Sequence, residues 1–165
     1  MKSLVTIVAV IIVAALMGAC STEAQALSGE SFSITLSVRC DTLLGNMDKL
    51  DREKQELVPY DGIIFPETLV EIQDGDSVFT VLQREMRNAG IHMASRNTPF
   101  YGSAYIEAIN NLYEFDAGPL SGWMFSINGD FPGMGASSRI LEPGDVVEWH
   151  YTLDLGLDLE GFSEG

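Results

Sequence analysis

Few side chains in this sequence are of the types that do chemistry, and their spacing decides against catalysis. His92 and His150 are its two histidines, and neither stands in an H-E-x-x-H or similar pattern that would give a metal a second ligand. His150 lies between Trp149 and Tyr151 on a strand-like run, so it is expected on the opposite, solvent-facing side from both. No G-x-S-x-G elbow exposes a serine nucleophile. Cys40 has no base beside it; it closes the alternation Phe32, Ile34, Leu36, Val38 and falls on the same face, which reads as a buried thiol. Asp74 and Asp76 are a carboxylate pair of the kind glycoside hydrolysis uses, yet Asp74-Gly75-Asp76 before a helical pattern reads more simply as a turn, with Asp76 as the helix N-cap. Asp154, Asp158 and Glu160 offer oxygens for weak Ca²⁺ binding but do not match the twelve-residue calcium loop, so a solvated tail is the simpler reading. The chain is therefore read as non-enzymatic, with no catalytic or metal-ligating residue.

The aromatic residues make a better case for binding. Tyr101, Tyr105, Tyr113, Phe115, Trp123, Phe125, Phe131, Trp149 and Tyr151 all fall in the second half of the chain. On a strand, Trp123 and Phe125 share a face with Ile127, while Met124 and Ser126 take the other. Trp149 and Tyr151 are read as core. Trp123 is set apart by the small residues Ser121-Gly122 before it and by the run Phe131-Pro132-Gly133-Met134-Gly135-Ala136, which thin the side chains around it. Small residues beside a large aromatic leave a flat surface for a planar ligand or an extended chain. The candidate ligand-binding residues are Trp123, Met124, Phe125, Met134, Gly135, Ala136, Ser137 and Tyr101.

The same stretch carries a family resemblance. The Gly122-Trp123-Met124-Phe125 strand, the Asn128-Gly129 turn, the Gly135-Ala136-Ser137 stretch and the Gly144-Asp145 turn into Val147-Glu148-Trp149 resemble the C-terminal domain of the transcobalamin and intrinsic-factor family. The resemblance is closer to the bacterial transcobalamin-like domain of secreted lipoproteins, and it covers residues 32–152. It implies a β-grasp-like fold and a corrinoid (cobalamin-like) ligand, of which this domain covers one side while a separate helical barrel forms the other. Residues 32–152 correspond to the small domain alone, and the chain is expected to lack the barrel. The ligand would be left half exposed and weakly held unless a helical-barrel partner or a membrane transporter completes the site. Bacterial relatives often carry further cysteines; Ala117, Ala136 and Leu153 stand here instead, so no inherited disulfide is expected.

The beginning of the chain bears on location. Lys2 followed by the charge-free apolar stretch 4–16 fits a secretory signal rather than a membrane span, which needs about 20 apolar residues. Met17-Gly18-Ala19-Cys20 looks like a lipoprotein cleavage box, with Cys20 as the lipidated N-terminus of the mature chain. The expectation is a protein anchored by lipid on the outer face of a bacterial cell membrane. A formal charge of −15 argues against nucleic acid, whose phosphates need Lys and Arg, and fits a soluble module at a cell surface. An alternative to a small ligand is a cell-surface domain that engages another protein or a wall polymer.

The elements that would position these residues follow from periodicity. Residues 1–19 are read as the leader, 20–30 as a flexible tether, 31–153 as the domain and 154–165 as an acidic tail that adds an edge strand or frays. Residues 32–40 alternate as a strand. Residues 41–59 read as a helical turn and an exposed loop. Residues 68–72 form a second strand, and Val78, Phe79, Val81, Leu82 and Met86 give the stripe of the one long helix, stopped at Gly90. Further strands are expected near 91–94, on both sides of the Asn110-Asn111 turn, and around Trp123, Ile140 and Trp149. One helix on a mixed or antiparallel sheet, α+β and β-grasp-like, with an additional C-terminal β-hairpin unit, is the expected class.

Overall fold

The computed structural model describes residues 32–98 and 103–163. The leader, the tether, Cys20 and Tyr101 lie outside the described residues.

The chain begins with β1 (Ser33–Arg39), passes through two 3₁₀ turns and the one-turn helix α1 (Arg52–Gln55), and returns as β2 (Ile63–Glu71). The 12-residue helix α2 (Val78–Ala89) follows, then β3 (Met93–Thr98), β4 (Ser103–Ile109), β5 (Leu112–Tyr113), β6 (Gly122–Ile127) and β7 (Val146–Thr152). The class is α+β, with a four-stranded sheet in the order β2-β1-β7-β6 and a three-stranded sheet in the order β3-β4-β5. The central pair β1–β7 is parallel; β1–β2 and β6–β7 are antiparallel, as is the whole of the smaller sheet.

Several expectations change here. The strands divide between two sheets, because β5 is only two residues long and hands the chain over to β6 in the other layer. The C-terminal pair β6–β7 is an integral edge of the main sheet, not an added hairpin, and its strands are joined by residues 128–145. Ile140 makes a single bridge to Ser77 instead of a strand. Residues 154–163 form turns, not a strand. They are tied down by Thr152 Oγ1 and the Leu153 N–H, both donating to the Asp158 carboxylate, and by Leu155 N–H donating to Leu120 O at 3.0 Å.

The core forms as alternation dictates. Ile34, Leu36, Val38 and Cys40 are buried with Val78, Val81, Leu82 and Met86 in one cluster, which also holds Trp149 and Tyr151. Phe32, expected on that face, is 45% exposed, since it lies just before the strand. Phe79 is half-buried at the flank. The N-cap of α2 is Ser77, not Asp76: Ser77 Oγ accepts from Thr80 N–H at 3.2 Å and Thr80 Oγ1 accepts from Ser77 N–H at 2.8 Å, a reciprocal box. Asp76 is instead paired with Arg84 one face along, at 2.7 Å. Gly90 ends the helix with φ of 69°.

Candidate functional site

The long connection 128–145 must cross from β6 to β7, and the way it is pinned makes the site. Its base is closed by Asn128, whose Nδ2 donates to Asp145 Oδ1 at 3.0 Å and whose Oδ1 accepts from Val146 N–H at 2.9 Å. Its middle is fastened to α2, where Phe79 N–H donates to Ala136 O at 3.1 Å and Val78 N–H to Arg139 O at 3.0 Å. These two donors belong to the first turn of the helix, which has no internal acceptor for them. The same stretch is latched to β4: Ala104 N–H donates to Ser137 Oγ at 2.9 Å and Ser137 N–H to Ser103 Oγ at 3.2 Å. Gly135 has to be glycine for this approach, because a Cβ there would lie 2.3 Å from Ser103 Cβ.

Between the latched connection and the two sheets lies a cleft of about 190 Å³. Its walls are Ala104, Tyr105 and Ile106 of β4, Trp123, Met124 and Phe125 of β6, and Trp149 of β7. Pro132, Met134, Gly135 and Ala136 close it from the connection. Six of the eight residues expected from the sequence are thus brought together: Trp123, Met124, Phe125, Met134, Gly135 and Ala136. Ser137 acts as the latch beside the cleft, and Tyr101 is outside the described residues. Ala104, Tyr105, Ile106, Pro132 and Trp149 were not anticipated. No local pattern marks the β4 residues, because only the tertiary crossing of the two sheets brings them to β6.

Trp123 is not the open platform its small neighbours suggested. It is 7% exposed. Its Nε1–H donates to Leu112 O at 2.9 Å, and its ring meets that of Tyr151 edge-on with centroids 5.1 Å apart. The cleft sees part of a ring otherwise committed to the core. Phe125 lies against Trp149 at 5.1 Å. The adaptable rim is Met134, 51% exposed. At the other rim the Tyr105 hydroxyl donates to the Glu114 carboxylate. Burial first, and then that bond, push its pKa up to about 12. The Arg96 guanidinium covers the Tyr105 ring at 4.7 Å and pairs with Glu107 and Glu114 at 2.9 and 3.2 Å.

The opposite face of the main sheet is polar. His150 is half-buried there, not solvent-facing as expected, because Phe131 and the folded residues 154–163 cover it; its ring lies 5.7 Å from that of Phe131 and its Nε2 is 3.3 Å from Ser126 Oγ. Desolvation lowers its pKa. Among the described residues, no group of three or more His, Cys, Asp or Glu is placed to hold a metal ion. Nor is any described helix long and apolar enough to cross a membrane.

A family model described as a domain of unknown function (DUF4430) matches residues 75–152, the stretch that carries both walls of the cleft. Among solved structures, haptocorrin in complex with Cbi is similar at a TM-score of 0.49 and 18% identity, over 73% of this chain. The chain spans only 25% of that haptocorrin chain. A candidate metal-binding protein from Ruminococcus gnavus is similar at a TM-score of 0.44 and 16% identity, over 73% of this chain and 95% of the other. Curated proteins offer no match.

Proposed function

We propose that this chain is a non-catalytic binding module, anchored by lipid at Cys20 on the outer face of a bacterial membrane, whose cleft between β4 and β6 takes one edge of a corrinoid or a related small ligand. The observation that carries the reading is the cleft itself, a slot edged by the apolar side chains of Trp123, Phe125, Ile106 and Met134 and braced by the Ser103–Ser137 latch. Its size decides the mode of binding. Sites that enclose a whole small molecule run to roughly 300–1,000 Å³, and about 190 Å³ is too little. The ligand is gripped by one side and needs a second surface, which a helical-barrel partner or a membrane transporter would supply. The family resemblance of the β6 strand and its following turn supports the corrinoid; the apolar stretch 4–16 ahead of Cys20 supports the anchor.

A visible-absorbance titration of the protein with cyanocobalamin tests the ligand. A saturable spectral change, with weak affinity for the isolated chain, is expected; an unchanged spectrum up to the solubility of the probe would sink the corrinoid reading. Detection of an unmodified Cys20 in protein recovered entirely from the medium would remove the anchor. One separate observation favours a protein-interaction role: the edge strand β2 carries Leu69 at 74% exposure.

A further inference from the structure

Trp149 has a property that the packing of the core does not require. Its side chain is 2% exposed, and its Nε1–H, out of contact with solvent, has no hydrogen-bond partner. A buried donor left unpaired is unfavourable and rare enough to call for an explanation. The other tryptophan shows that this fold can satisfy an indole, since Trp123 Nε1–H reaches Leu112 O. Trp149 is also part of the cleft wall. An indole N–H only donates, so what completes it must bring an acceptor into the cleft.

The edge of β6 adds the matching groups. Asn128 N–H donates to Val146 O at 2.8 Å, which sets the phase of the β6–β7 ladder. In an antiparallel pair the outward-facing residues then alternate as Ile127, Phe125 and Trp123. Ile127 spends its outward groups on Asp130, at 2.8 and 2.9 Å. Among the described residues, the outward N–H and C=O groups of Trp123 and Phe125 have no such partner, and both residues border the cleft. A slot that offers donors and acceptors side by side in apolar surroundings fits an amide. At the rim beside Tyr105, Glu107 and Glu114 share one guanidinium, that of Arg96, and the net negative charge left there disfavours a carboxylate.

We propose that the cleft binds an uncharged, amide-bearing arm of the ligand, with the amide carbonyl accepting the Trp149 Nε1–H. This rests on the reading of the chain as a binding module and names the group that its cleft recognises. The available volume suits one such arm. Met134, half exposed at the rim of the same cleft, is its adaptable side chain.

The test uses the full chain labelled with ¹⁵N, in which two indole N–H resonances report the two tryptophans. N-methylacetamide is the probe, and acetate at the same concentrations is the charge control. The expected result is a saturable downfield shift of the Trp149 indole proton with N-methylacetamide, a smaller or no shift with acetate, and an unmoved Trp123. Trp149→Phe should abolish the responding resonance while the Trp123 resonance stays in its folded position. Absence of a saturable shift at Trp149, or equal shifts from both probes, overturns the proposal. The probe is not a corrinoid, so failure of the cyanocobalamin titration and failure of this experiment are separate results.

Discussion

Gly135 and Cys40 show how far single residues carry meaning here. At Gly135 there is no space for a Cβ, since Ser103 Oγ would be 2.0 Å away. Gly135→Ala should push the connection off β4 and cost about 1–3 kcal/mol, as overpacking does. Chemical denaturation would measure it, and Ser103→Gly in the same chain should recover part of the loss; no recovery would mean that the contact is not the cause. Cys40 is fully buried, and burial, helped by the Asp41 and Asp61 carboxylates, pushes its thiol up to about 12. An unfolded thiol titrates near 8.5. The neutral thiol therefore contributes stability that is fully present below that value and is lost as pH rises toward 12. Ellman's reagent at pH 8 should not react with Cys40 until denaturant is added, and immediate reaction in the native protein would contradict the burial. This thiol was legible in the alternation from Phe32 onward. The unpaired Trp149 N–H was not, because a missing partner is a property of packing and leaves no trace in the local pattern.

Among the elements, α2 was read correctly in its stripe and its glycine stop, and incorrectly at its first residue. Asp76 and Ser77 are both good caps, and the choice fell to Ser77 because Thr80 completes a reciprocal pair with it. Asp76 was then free to reach Arg84. Partial burial works against the charge of Asp76, but hydrogen bonds from Arg84, Gln73 N–H and Thr80, with the Arg84 charge, hold its carboxyl below the usual range. A lowered carboxyl pKa gives stability that is present above the unfolded value near 4 and is lost as pH falls through the folded value. Asp76→Asn should therefore cost about 1 kcal/mol at neutral pH, discounted for an Arg84 that is a third exposed. The deficit should shrink in acid; a deficit equal at pH 7 and pH 3 would exclude the ionic origin. Phe79, half-buried at the flank, should lose less on truncation than the fully buried Leu82. Leu82→Ala is expected to cost about 2–5 kcal/mol, and urea melts of the two variants would show the order.

At the scale of the molecule, the division into two sheets makes the cleft, and that division was the least legible feature. The Asn110-Asn111 turn could be read because it is local, and both residues do adopt positive φ, 54° and 60°. Nothing local says that β6 leaves the β4–β5 sheet to join β7, since that choice is set by pairing partners far along the chain. Beside the Tyr151 hydroxyl of β7, which donates to Tyr113 O on β5 at 2.7 Å, a second hydrogen bond spans the gap between the layers, from Trp123 Nε1 on β6 to Leu112 O on β5. Trp123→Phe keeps most of the ring and removes this tie. It should cost about 1–3 kcal/mol, the range for a buried group that loses its partner. If Trp123 served the core alone, the folded fraction of the variant would bind as the wild type does. If the tie also sets the spacing of β4 against β6, the response to cyanocobalamin should weaken even at a temperature where a melting curve shows the variant fully folded. Full binding by a fully folded variant would remove Trp123 from the site and leave the recognition to Trp149, Phe125 and the Met134 rim.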